Sequence, residues 1–218
     1  MKAKQVITCI LLLSLSSGFY GQHLKLGIQG GIIAANPHVM NKSKEYTDYR
    51  FYYFMTSYHA NATLNYTSRG KAGVTVEPGF IQKGGRKKET NAAGFQENTR
   101  YQLNYVYAPI LLEYNINTKL FLSAGTEIAY LINVQLRNNS GKTDISYMYN
   151  KPFEFSGVVG FGINVLKNLD LGIRYNHAIT SYKELNVVDE FNNPIDVTIK
   201  EYNQYLQVYV RFFVSQLL

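Results

Sequence analysis

The stretch Leu103–Tyr114, LNYVYAPILLEY, separates into two sets when read by alternate residues. Val106, Ala108, Ile110 and Leu112 are uniformly apolar, whereas Tyr105, Tyr107, Pro109, Leu111 and Glu113 are mixed and partly polar. A period of two is the signature of a β-strand. The run of about a dozen residues exceeds the usual strand of roughly 5–6. It matches the roughly 9–11 residues of a tilted strand that crosses a bilayer.

Seven further segments repeat the design: Leu24–Ala34, Phe54–Tyr66, Ala72–Lys83, Leu120–Ile132, Phe153–Leu166, Leu169–Thr180 and Tyr202–Val214. Their connections alternate in length. Thr67–Lys71, Asn115–Lys119 and Lys167–Asn168 are short turns. Asn36–Tyr53, Gly84–Arg100, Asn133–Lys151 and Ser181–Glu201 are long, polar connections. Loops this long are uncommon in compact soluble domains. Short turns at one end and long loops at the other are the asymmetry of outer-membrane barrels. The expected fold is all-β: an eight-stranded antiparallel up-and-down transmembrane β-barrel, with both termini periplasmic and four long loops outside.

Alternation alone does not say which face meets the surroundings. A soluble, lipocalin-like barrel would turn its apolar set inward around a ligand; a membrane barrel turns it outward to lipid. The polar set decides. It holds Gly27, Gly31, Gly79, Gly125, Gly160, Gly162 and Gly172 with isolated charges of both signs. Glycines suit the crowded lumen and bends of a small closed sheet, whereas a solvated outer face would be rich in Lys, Glu and Thr. Pro78 and Pro109 donate no ladder hydrogen bond, so each is expected to mark a bulge or an unpaired carbonyl.

The ends and the composition agree. Lys2 and Lys4, the apolar run Val6–Leu15 and the small residues Ser16, Ser17, Gly18 and Gly21 read as a secretory signal over residues 1–21, with the barrel domain spanning 22–218. The lone Cys9 falls inside the apolar run, preceded by Thr8, which does not fit a lipoprotein anchor; a chain cut ahead of Gln22 has no cysteine for disulfides or thiol chemistry. With 19 Tyr, 12 Phe and no Trp, the chain is rich in strand-favouring aromatics. A slightly negative mean hydropathy excludes a bundle of transmembrane helices but not a barrel, whose alternation averages out. The net charge of +7 becomes +5 without Lys2 and Lys4 (20 basic minus 15 acidic). That modest excess points to acidic lipid headgroups rather than nucleic acid.

At this point the chain resembles the PorT-like outer-membrane β-barrel proteins over essentially all of Gln22–Phe213. The resemblance rests on VEPGFIQKGGRK (Val76–Lys87), LNYVYAPILLEY, AGTEIAYLI (Ala124–Ile132), GFGINV (Gly160–Val165) and LGIRYNHAIT (Leu171–Thr180). It implies an eight-stranded barrel in the Gram-negative cell envelope and a link to secretion and gliding machinery by analogy. Tyr107 stands where that pattern has an acid, and Glu113 where it has a base.

The chemistry expected of the chain is non-enzymatic, without cofactor. His23, His38, His59 and His177 show no metal-ligand spacing. His177, Ser181 and Asp189 near one rim are the only grouping that suggests a rim-located lipid-modifying enzyme. GVVGFG (Gly157–Gly162) has the wrong spacing for a dinucleotide loop and sits inside a strand. Lys83, Arg86, Lys87 and Lys88 form a basic cluster and are candidate headgroup-binding residues; a merely solvated loop is the competing reading. Tyr46, Tyr49, Tyr52, Tyr53, Tyr101, Tyr147, Tyr149, Tyr182 and Tyr202 lie near strand ends and are expected to supply an interfacial girdle. The strand parity turns Lys25, Glu77, Glu127, Arg174 and Arg211 inward as a lumen polar network, with Arg174 as hub, Glu127 and Glu77 as its partners, and Tyr105, Tyr107 and Tyr209 filling the remainder. The expected role is a structural or interaction anchor; a small-solute transporter is the alternative. Its expected partners are outer-membrane lipid, the barrel-assembly machinery during insertion, and other envelope proteins.

Overall fold

A computed structural model describes residues 23–41, 53–67, 71–90, 96–139, 141–188 and 194–217. The expected signal segment, residues 1–21, and Tyr46, Tyr49, Tyr52 and Asp189 lie outside these residues.

Eight antiparallel strands close on themselves. In ring order they are β1 (His23–Ala35), β3 (Met55–Thr67), a strand in two pieces, β4 (Ala72–Val76) and β5 (Gly79–Thr90), then β6 (Gln96–Asn115), β7 (Leu120–Asn138), β9 (Phe153–Leu166), β10 (Leu169–Ala178) and β13 (Gln204–Leu217). The last returns to the first through pairs from Leu24↔Leu217 to Ala35↔Tyr205. Each strand meets its sequence neighbour in the ring, so the barrel is up-and-down. The apolar set faces outward: Ile28, Ile32, Val106, Ile110, Leu112, Val208 and Val210 are exposed. The polar parity is buried, with strict alternation along β3. Apolar side chains outside and polar ones inside reverse the usual soluble pattern and make the wall a lipid-facing surface.

The prolines act otherwise than expected. Pro78 does separate β4 from β5, but its carbonyl still accepts from the Ala62 N–H (2.9 Å), and the Pro109 carbonyl accepts from the Glu77 N–H (3.0 Å). Register therefore runs on through both: β6 keeps its pairing with β7 at Pro109↔Glu127. Only the donor half of each pair is missing, as a ring nitrogen requires. The register shifts fall instead at Leu26/Gly27, Asn104/Tyr105 and Leu169/Asp170. One ladder is short: β3 has four registered pairs with β4 and three with β5, against thirteen with β1.

The long connections differ most from the sequence reading. β5 and β6 continue as a hairpin from Gln82↔Asn104 to Thr90↔Gln96. β7 runs on and pairs with β8 (Gly141–Asp144), which leads to a 3-10 turn at Ser146–Met148. β2 (His38–Asn41), β12 (Pro194–Tyr202) and β11 (Lys183–Val188) form a separate three-stranded sheet. In β12 Ile195, Val197 and Ile199 do alternate with Asp196, Thr198 and Lys200, but the hairpin beyond Gln82 and β8 carry no apolar alternation and are held by backbone pairing. β6, with 20 residues, reaches roughly 65 Å at about 3.3 Å per residue and outruns a bilayer core of roughly 30 Å even when tilted. At the opposite end the turns are tight; in one, the Asn117 side-chain oxygen accepts from the N–H groups of Lys119 and Leu120, both at 2.8 Å.

Candidate functional site

The lumen is filled in tiers. Nearest the short turns, Arg211 on β13 reaches Asp170 on β10 (Nε 3.0 Å, Nη2 2.8 Å) and Glu113 on β6 (Nη1 2.6 Å). Glu113 also accepts from Asn65 (3.0 Å). The Arg211 guanidinium lies over Phe121 and Phe213. Above it, the Arg174 fork grips both oxygens of Glu77, with Nη2 2.9 Å from Oε1. Gln29 supplies a further donor to Glu77 (3.1 Å), and Tyr209 stacks on the Arg174 guanidinium at 4.2 Å. Across the same height, Tyr107 donates to Asn61 (2.7 Å), and His59 contacts Asn61 (3.0 Å) and Gln207 (3.0 Å).

The third tier is centred on Lys83. Its ammonium donates to Glu127 on β7 and Glu154 on β9, both at 2.7 Å. Asn176 and Tyr205 satisfy the other Glu127 oxygen, and Asn203 the other Glu154 oxygen. Beyond this tier an apolar cap that includes Ile33, Ile81, Leu103, Val134, Ile145, Tyr149 and Tyr182 closes the loop end.

Buried ions require such arrangements. An ion moved from water to a low-dielectric interior is costly, and the cost is met only when a partner and further hydrogen bonds satisfy it. Among the described residues, three buried cations, Lys83, Arg174 and Arg211, meet five buried carboxylates, Glu77, Glu113, Asp170, Glu127 and Glu154. Lys25 is only partly buried; with Asp170 and Arg211 it lines a cavity of about 350 Å³ that opens at the turn end.

The sequence-derived pairing is thus met at Arg174–Glu77, whereas Glu127 binds Lys83 instead of Arg174. Lys83 is no surface residue: it is fully buried, which corrects its assignment to the basic headgroup cluster. Parity carried the signal, because Thr75, Glu77, Gly79 and Lys83 share one face across Pro78. Glu154 and Asp170 were legible by the same count. Of the remaining cluster, Arg86 donates to the Phe54 carbonyl (2.8 Å) and Lys88 lies over Tyr53.

Of the rim grouping, Asp189 lies outside the described residues. Ser181 donates to Glu184 (2.8 Å), while the exposed His177 sits against Tyr175. Tyr149 and Tyr182 stack on each other within the cap instead of joining the girdle, their centroids 5.9 Å apart. Among the described residues, the exposed aromatics toward the loop end include Tyr53, Phe54, Tyr58, Tyr130, Tyr147, Phe153, Phe155 and Tyr175.

Comparison with solved structures finds similar chains at low identity. Neisserial surface protein A is 12% identical, with a TM-score of 0.47, covering 86% of this chain and 96% of that one. OprG of Pseudomonas aeruginosa is 11% identical, with a TM-score of 0.46, covering 89% and 97%. Ail, the attachment invasion locus protein of Yersinia pestis, is 14% identical, with a TM-score of 0.44, covering 89% and 100%. No curated protein sequence matches the chain. The family described as outer membrane protein beta-barrel domain matches residues 17–184. With that match spanning most of the ring, the chain belongs to the outer membrane protein beta-barrel domain family.

Proposed function

We propose that the protein is a non-enzymatic anchor of the Gram-negative outer membrane, PorT-like in kind. In this reading its signal segment directs export, the barrel-assembly machinery inserts the ring, and the long connections meet outer-leaflet lipid or envelope proteins, including parts of a secretion apparatus. The observation that carries it is the lumen blocked by ion-pair tiers between the turn-end cavity and the apolar cap. Eight strands enclose little more than their own side chains, and here Arg211, Arg174 and Lys83 each bridge carboxylates from different strands. A solute would have to break these ion pairs in succession, at several kcal/mol each. An anchor needs a rigid wall and exposed loops, and the tiers give the wall its rigidity. The test is electrical and biochemical. Purified barrel in planar bilayers should give no stable conductance, and detergent extracts should co-purify envelope neighbours. Steady single-channel currents would overturn the anchor reading in favour of a transporter.

A further inference from the structure

Where β9 and β10 leave the wall at the loop end, Phe153, Phe155 and Ile179 project outward and are exposed. The Ile179 N–H donates to the Phe155 carbonyl (2.7 Å), and the three side chains line one apolar ledge. Phe153 also meets Tyr130 edge-on at 5.0 Å. Directly beyond this ledge the surface turns cationic. Lys151 and Lys200 both approach Glu184, at 3.4 and 3.2 Å, and each keeps over a third of its side chain exposed (47% and 38%). Glu184 is itself fixed by the Ser181 hydroxyl at 2.8 Å. The ledge and the charged group together line a cavity of about 370 Å³.

Among the described residues two ammonium groups share one carboxylate, which leaves an excess of one positive charge. Exposed ion pairs of this kind contribute little to stability, so holding the fold together does not explain the arrangement. A phosphate group carries roughly −1.5 to −2 charge and several strong acceptors, and lysine ammonium groups bind it as point charges. A ligand with phosphate at one end and acyl chains at the other would place the first on the lysines and the second on Phe153, Phe155 and Ile179. We propose that this ledge is a binding site for a phosphorylated glycolipid of the outer leaflet, with Lys151 and Lys200 on its phosphate. The inference rests on the anchor reading for its membrane setting, and it moves headgroup recognition from the Lys83–Lys88 stretch to residues far from it in sequence.

The test uses the full protein in phosphatidylcholine nanodiscs doped with bis-phosphorylated lipid A or with its phosphate-free form. Bound lipid is counted by native mass spectrometry, and folding is checked by heat-modifiable migration. The parent should prefer the phosphorylated lipid. Lys151→Ala and Lys200→Ala should each reduce that preference about five-fold, the weight of one basic residue near an anionic surface. Glu184→Gln should increase it by freeing both lysines. Equal retention of the two lipids by the parent, undiminished preference in the double lysine variant, or weaker preference in Glu184→Gln would each overturn the proposal. So would competition by millimolar inorganic phosphate, which would show a free-anion site. Bilayer conductance is a separate readout: currents with lipid preference intact would sink the anchor and leave the lipid site standing.

Discussion

Arg174 shows how a buried charge is held in this lumen. Both of its terminal nitrogens are on Glu77, and Tyr209 covers its face. Arg174→Ala would leave Glu77 without its bidentate partner, and breaking such a pair costs on the order of 3–5 kcal/mol. Denaturant unfolding in detergent, followed by circular dichroism, should register that loss; an unchanged midpoint would refute the pairing. At the rim, the Ser181 hydroxyl, then Lys200 and Lys151, pull the Glu184 carboxyl from its ordinary 4.5 down to about 2. Because the folded value is depressed, the stabilisation is full above pH 4.5 and disappears as pH falls through about 2. The Glu184 carboxyl carbon resonance should titrate near pH 2, and Ser181→Ala should move that midpoint upward. Parity alone sets the direction of Arg174 and Lys83, but partner choice depends on the rotation of strands around the ring. No single strand encodes that rotation, which is why Glu127 goes to Lys83.

At the level of the element, inward glycines and large rings are matched across neighbouring strands. A Cβ on Gly162 of β9 would overlap the Phe121 ring of β7, and one on Gly172 of β10 would overlap the Tyr209 ring of β13. Gly162→Ala should therefore destabilise by about 1–3 kcal/mol through overpacking, and adding Phe121→Leu should recover part of that. A double-mutant cycle on thermal unfolding measures the coupling; purely additive effects would contradict the packing. The barrel strands were legible because one face meets lipid and must be apolar. The hairpin beyond Gln82 was not, since QKGGRKKET offers no apolar alternation. Gly84 within it adopts φ +126°, a conformation that glycine allows and other residues rarely take. Amide exchange should separate the two regimes. The β11–β12–β2 sheet should exchange well before β1 and β13, as expected for segments with less packing around their hydrogen bonds.

For the whole molecule, the ring sets an outer belt whose tolerance depends on height. Ile173 is exposed midway along β10, opposite Val208 and Phe161. Ile173→Lys should cost about 2–4 kcal/mol in a bilayer, against about 0–1 near an interface. Ile116, exposed in a short turn, is the interfacial comparison. Refolding into vesicles of both variants gives the difference, and equal penalties would place the belt elsewhere. The sequence made this ring readable through strand count and turn length. The third tier was legible by parity but obscured by composition, because Lys83 also reads as one member of a basic run.

A closed ring carries load around its circumference, and its strength is that of its weakest seam. Between β3 and the divided β4–β5 strand the registered pairs number four and three, and on either flank of that strand a proline omits a donor. Elsewhere the wall has register shifts but longer ladders; here the ladder is short and Pro78 gives no donor toward β3. Strain applied to the barrel, by a pulling tether or by the curvature of a thin membrane, will concentrate along this line. If the cylinder parts sideways, this seam is where it opens, at the missing Pro78 donor opposite Ala62.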